Sequence, residues 1–192
     1  MLKLRLFFAL WPDDPVRIAV AKAARTALTP CGGRPMAVPN YHITLAFLGD
    51  VPVDRIDCLY RLAEGLPGEP FELRLDTFGF FERARVVWLG PSEEPPALAD
   101  FQARLNQALP RCDLVPEGRP YHPHLTLLRN ARRGPDVTTT APIPWSVKDF
   151  ALVRSVPAEE GSGYQVLRRW PLTSNEGRGS RSEEEKTLPP RT

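Results

Sequence analysis

Two copies of one short run constrain this chain more than any other feature: His42-Ile43-Thr44-Leu45 in the first half and His124-Leu125-Thr126-Leu127 in the second. The sequence holds three histidines, and two of them carry Thr two places on and Leu three places on. Side chains two apart in a strand share one face, roughly 6–7 Å from one another. Each run therefore presents an imidazole and a hydroxyl together, while Ile43, Leu45, Phe47, Leu125 and Leu127 pack behind. Polar residues on one face of two otherwise apolar strands fit a lined cleft better than a plain solvated surface.

Periodicity supplies the rest of the architecture. Leu4 to Leu10 reads as a strand, followed at once by a helix that Asp13 or Asp14 caps and Pro15 starts. A Pro- and Gly-dense loop precedes the strand of the first motif, and Ile56, Leu59, Tyr60 and Ala63 then fall at helical spacing within 53–66. Strands are expected over Phe71 to Phe78 and Val86 to Leu89, a helix over Ala97 to Leu109, and a strand at the second motif. A polar loop covers 131–140, with strands around Trp145 to Val153 and Tyr164 to Leu172. Strands and helices mixed without a regular strand–helix–strand succession favour an α+β fold over a doubly wound one. One domain over 1–173 is expected, with a disordered tail over 174–192 whose only apolar residue is Leu188.

Composition narrows the class. With 42% hydrophobic residues, 25% charged and a net charge of +2, the chain can build a sizeable core and has no histone-like or acidic-tail character. So small an excess does not by itself imply a phosphate-bearing ligand, since binding needs a local basic patch. An odd cysteine count, Cys31, Cys58 and Cys112, with no C-x-x-C pair, argues against a disulfide framework and a thiolate zinc site, and for a reducing compartment. The apolar run Leu6 to Trp11 is shorter than the roughly 7–15 residues of a signal core, and Pro12-Asp13-Asp14 ends it. No run approaches the roughly 18 residues of a membrane span, so a cytoplasmic protein is expected.

Two imidazoles facing across a cleft, each beside a hydroxyl, suit an in-line displacement at phosphorus. One takes a proton from the nucleophile and the other gives one to the leaving oxygen, both near neutral pH. The hydroxyls of Thr44 and Thr126 can donate to the non-bridging oxygens, and no metal is then required. A metal reading competes at His122-Pro123-His124, but no third ligand at ligand spacing and no H-E-x-x-H accompanies it. Serine chemistry lacks a G-x-S-x-G.

Four blocks, RLFFALWPDDPVR, VPNYHITLAFLGDV, RPYHPHLTLLRNA and FALVRSVPAEEGSGYQVLRRWPL, resemble in order those of the two-histidine phosphoesterase superfamily, over residues 5 to 172. Within it the chain is similar to the RNA 2′,3′-cyclic phosphodiesterases, also called LigT-like 2′-5′ RNA ligases. The resemblance implies a two-lobed α+β fold, with two antiparallel sheets related by a pseudo-two-fold around a central cleft and helices on the outside. It implies metal-independent hydrolysis of a terminal 2′,3′-cyclic phosphate to a 2′-phosphate, without a cofactor, and with 2′-5′ ligation as the reverse reaction. The expected partner is RNA bearing such an end, tRNA fragments among the candidates; no membrane is involved, and a monomer is expected.

By the same resemblance, His124 is the base that activates water, His42 the acid, and Thr44, Thr126 and Arg129 hold the phosphate. Strand alternation puts 124, 126 and 128 on one face, so Arg129 reaches the cleft only if its strand ends or bulges near Leu128. Phe7, Tyr41 and Tyr121 are candidates for stacking on the terminal base, with core packing the competing role for Phe7. Arg119, Arg132 and Arg133 can guide an RNA backbone or simply be solvated. A phosphodiesterase for a small cyclic nucleotide or ADP-ribose derivative, and RNA-end binding without turnover, are the other readings.

Overall fold

Alternating burial in the first apolar run sets the layout of the computed structural model, which describes residues 2–158 and 161–173; the tail expected to be disordered lies outside the described residues. In β1 (Lys3–Leu10), Leu6, Phe8 and Leu10 enter the main core. Phe7 and Ala9 turn the other way and, with Trp11, Ala151 and Val153, form a second cluster on the opposite face. Helix α1 (Asp14–Leu28) starts as its sequence predicts: the Asp13 side chain accepts from the Val16 N–H at 3.2 Å, and Val16, Val20, Ala24 and Ala27 form one buried stripe.

The chain continues through β2 (Arg34–Pro35), β3 (Ile43–Pro52), α2 (Ile56–Glu64), β4 (Phe71–Phe81), β5 (Val86–Gly90) and α3 (Pro96–Ala108). It closes with β6 (Leu125–Arg129), β7 (Thr139–Val147), β8 (Asp149–Ala158) and β9 (Gly161–Pro171). The single strand expected over 145–153 is two strands consecutive in sequence, β7 and β8, broken at Lys148 and placed far apart in the sheet. Pro142 and Pro144 masked the start of β7; they are accommodated because β7 is the edge strand, hydrogen-bonded on one side only, to β4.

The fold is α+β. The strands pair in the order β7-β4-β5-β6-β3-β1-β8-β9, with β2 alongside β6, and every pairing is antiparallel. The five strands β7, β4, β5, β6 and β2 meet the four strands β3, β1, β8 and β9 through one residue pair, Ile43 opposite Leu125, both fully buried. All three helices supply side chains to the main core, with Val20, Leu59 and Phe101 among them. Burying each such aliphatic or aromatic residue stabilises the fold by about 1.5–3 kcal/mol.

One expectation is overturned: Cys58 of α2 and Cys112, just past α3, form a disulfide with Cα atoms 5.8 Å apart, and Cys31 remains a buried free thiol. An odd count excludes a fully paired set but not a single bridge. A sequence separation of 54 hides the contact from any local reading. Among the described residues no helix is long and apolar enough to cross a membrane.

Candidate active site

The Ile43–Leu125 pair creates the site. Both motif histidines immediately precede a residue of that pair, so antiparallel register sets His42 across from Thr126 and Thr44 across from His124. The four side chains share the face opposite Ile43 and Leu125, and all four line one cleft of about 1200 Å³. The expected apolar backing holds for Ile43, Leu45, Leu125 and Leu127, none more than 2% exposed.

Phe47 departs from it. Against β1 the register skips Leu45, with Phe8 opposite Ala46 and Ala9 opposite Thr44, so Leu45 and Ala46 are both buried and the alternation reverses. Phe47 is thereby thrown out to line the cleft, with the Arg5 guanidinium 4.8 Å over its ring. The carbonyl of the skipped Leu45 accepts from Gln102 of α3 at 3.2 Å.

Both histidines are held in the same way. His42 Nδ1–H donates to the Asn40 carbonyl at 2.7 Å, and His124 Nδ1–H donates to the His122 carbonyl at 2.8 Å. A carbonyl can only accept, so it fixes the Nδ1–H tautomer and leaves a lone pair on each Nε2. Around His42, Trp11 stacks at 5.3 Å and 12°, Phe7 lies at 4.9 Å, and Tyr164 of β9 meets it edge-on at 5.0 Å. Around His124, Phe81 lies edge-on at 4.9 Å and His122 stacks at 6.2 Å, with Trp88 next to both histidines.

These ring walls set the electrostatics. Burial lowers the His42 pKa to about 4, against the bond to Asn40, with Arg129 and His124 pushing the same way as burial. Burial also lowers the His124 pKa, opposed by the bond to His122 and assisted by His122 and Arg129. Both imidazoles are therefore neutral in the empty cleft near pH 7.

Arg129 joins the site because β6 bulges. Val87 faces Leu128 and Trp88 faces Thr126, which skips Leu127, and the strand ends at Arg129. Its exposed guanidinium lines the cleft. The stacking candidates divide: Tyr121 lines the cleft, half-buried, with its hydroxyl unpartnered among the described residues. Phe7 and Tyr41 are 3% and 5% exposed. Phe7 packs against the His42 ring and Tyr41 lies in the main core, so neither offers a face to a base. Arg119, on the cleft lip, is paired with Glu117. Among the described residues no three His, Cys, Asp or Glu side chains cluster as a metal-ligand set, and His122 with His124 gains no third donor.

Sequence reasoning missed Trp11, Tyr164, Phe81 and Trp88, which come from four different strands or strand ends and carry no shared spacing. It also missed the two carbonyl clamps, although both lie two residues before a motif histidine and were within reach of a local reading.

The model of the 2′-5′ RNA ligase superfamily matches residues 12–158. The RNA 2′,3′-cyclic phosphodiesterase of Escherichia coli strain K12 is 38% identical over 174 residues, covering 88% of this chain and 97% of that protein. That of Thermus thermophilus is 30% identical over 185 residues, covering 91% and 93%. The crystal structure of E. coli LigT complexed with 3′-AMP superposes with a TM-score of 0.83 at 35% identity, covering 90% of this chain and 99% of that one.

Proposed function

Since this chain belongs to the 2′-5′ RNA ligase superfamily, we propose that its cleft hydrolyses the 2′,3′-cyclic phosphate at an RNA end to a 2′-phosphate. The observation that carries the reading is the diagonal set of two imidazoles and two hydroxyls around the Ile43–Leu125 pair. Water attacks phosphorus in line with the departing 3′ oxygen. His124 Nε2 takes the proton from water; His42 Nε2 gives one to the 3′ oxygen as the P–O3′ bond breaks. Thr44 and Thr126 donate to the non-bridging oxygens, and Arg129 balances their charge. Tyr121 flanks the terminal base.

His42 needs a proton that burial withholds from it in the empty cleft. The phosphate anion supplies the opposite charge that raises both imidazoles, so the acid is armed by its substrate. Proton transfers and hydrogen bonds account for each step, and neither metal nor cofactor is invoked. Ligation of 2′-5′ ends uses the same groups with a ribose 5′-hydroxyl replacing water as nucleophile: the P–O5′ bond forms as the P–O3′ bond breaks, and the 3′ oxygen takes the proton. On this reading the enzyme works as a cytoplasmic monomer on RNA ends, tRNA fragments among them, with residues 1–173 as the catalytic unit.

The test is turnover of a short RNA ending in a 2′,3′-cyclic phosphate, in excess chelator, by wild type, His42→Ala and His124→Ala, with the phosphate located by NMR. Wild type is expected to yield the 2′-phosphate and each variant to lose at least about 10²-fold in kcat. Turnover surviving both substitutions would sink the paired-histidine mechanism.

A further inference from the structure

We propose that Trp11 and Arg17 are positioning residues for the general acid: the indole face of Trp11 carries the protonated ring of His42 through a cation–π stack, and Arg17, seated on the same indole, opposes that charge. This rests on the reading of His42 as the acid of the phosphodiesterase. The pair keeps the ring neutral in the empty cleft and gives it a surface on which to hold a proton once an anion arrives.

The stack begins in the alternation of β1. Phe7, Ala9 and Trp11 follow one another at two-residue spacing on the face turned from the main core. Ala9 is the cross-strand partner of Thr44, two residues past His42, so this face of β1 lies against the imidazole. Trp11 meets that ring with the planes 12° apart, whereas Phe7 is tilted by 33° and Tyr164 stands at 81°. Trp11 is thus the ring that lays its face on the imidazole. Among the described residues His42 is the one buried side chain of polar or charged type, and Trp11 is 7% exposed. The Asn40 carbonyl takes Nδ1 and the reacting oxygen takes Nε2, so the charge spread over the protonated ring is left to the indole face.

Arg17 sits in the first turn of α1 with its guanidinium carbon 5.7 Å from the Trp11 ring centre. Its side chain is 14% exposed; Nη1 pairs with Asp14 at 3.0 Å, while the buried Nε meets no hydrogen-bond acceptor among the described residues. A guanidinium keeps its charge at every working pH, so one indole meets a permanent cation and a titrating one. The other charged or titratable groups that face His42 are Arg129 and His124 from β6 and its approach, and Tyr164 from β9. Arg129 lies in the cleft, where a bound anion neutralises it. Arg17 lies outside the cleft lining, so its opposition to the protonated ring persists with substrate bound.

The test titrates the three imidazoles of the full chain by NMR of 13C-labelled histidine, in wild type, Trp11→Leu, Trp11→Phe and Arg17→Met/Asp14→Asn. The last removes the ion pair without changing net charge. Sodium sulfate stands in for the substrate, as a tetrahedral anion whose charge is constant over the range. With sulfate present, the His42 midpoint is expected to fall by about 0.5–1 pH unit in Trp11→Leu, which stays apolar but has no π-face. Trp11→Phe keeps a smaller π-face and should show less than half of that fall. The ion-pair variant should raise the midpoint by about 0.3–0.5 unit, and His122 should move in none of them. A wall that merely loosened would admit water and raise the His42 midpoint in every variant, so the opposite signs separate the stack from packing. In turnover of a cyclic-phosphate RNA, kcat/KM should follow, falling about three- to tenfold in Trp11→Leu. A His42 midpoint unmoved or raised in Trp11→Leu overturns the stack, and one unmoved in the ion-pair variant overturns the part given to Arg17. Wild type inert towards the RNA, with the midpoints shifting as expected, would refute the phosphodiesterase reading and leave the stack supported.

Discussion

At the residue scale, the surroundings of His42 set its charge. The residue carries an ionisable ring among Trp11, Phe7 and Tyr164, and the Asn40 carbonyl offsets the burial. Its folded pKa of about 4 lies below the ordinary 6.5, so between those values the unfolded chain binds a proton that the folded one does not. Stability is therefore expected to rise with pH through that window and to fall as the solution is acidified. The contribution is on the order of a few kcal/mol. His42→Gln should flatten the slope of denaturation midpoint against pH between 4 and 6.5; an unchanged slope would show that His42 is not the source. Kinetics carry the same signature. Because both imidazoles are lowered in the free enzyme, the bell of kcat/KM should centre below pH 6.5. The bell of kcat, measured with the anion bound, should sit at higher pH. A kcat/KM optimum above pH 7 would contradict the proposed electrostatics.

Among elements, the informative features are places where strands break their own alternation. The skipped Leu45 turns Phe47 to the cleft, and the skipped Leu127 with the end of β6 brings Arg129 there. Gly79 on β4 answers a different need: it is the direct partner of Trp88 on β5, and a Cβ would lie 2.1 Å from the indole. That indole rests 4.7 Å from the His122 ring, so Gly79→Ala should push Trp88 into the site. The overpacking should cost about 1–3 kcal/mol, with a fall in kcat/KM. Trp88→Phe in the same chain should recover part of both losses by giving the Cβ room. If the double variant is no better than the single one, contact with Trp88 is not why glycine stands there.

For the whole molecule, the Cys58–Cys112 bridge spans 54 residues that include β4, β5 and α3. Closing a loop of that length restricts the unfolded chain by about 4 kcal/mol on the chain-entropy view. Adding reductant, or Cys58→Ser with Cys112→Ser, should lower Tm by several degrees. Because both cysteines lie outside the cleft lining, kcat at low temperature should stay the same. An unchanged Tm with the pair demonstrably oxidised in the starting sample would show that the bridge does not stabilise the fold.

By itself the sequence determined what rests on neighbours along the chain: the α+β class, the Asp13 cap of α1, most strand positions, and the two imidazole–hydroxyl pairs with their apolar backing. Period and capping act over a few residues, so they are written locally. Tertiary structure decided whatever joins distant segments: the Ile43–Leu125 seam that unites the motifs, the aromatic walls, the inward burial of Tyr41 and the cysteine bridge. A bulge moves a side chain to the other face at the cost of one residue of register, and no spacing rule announces it. That is why Phe47 and Arg129 could be placed only once the strands on either side of them were seen.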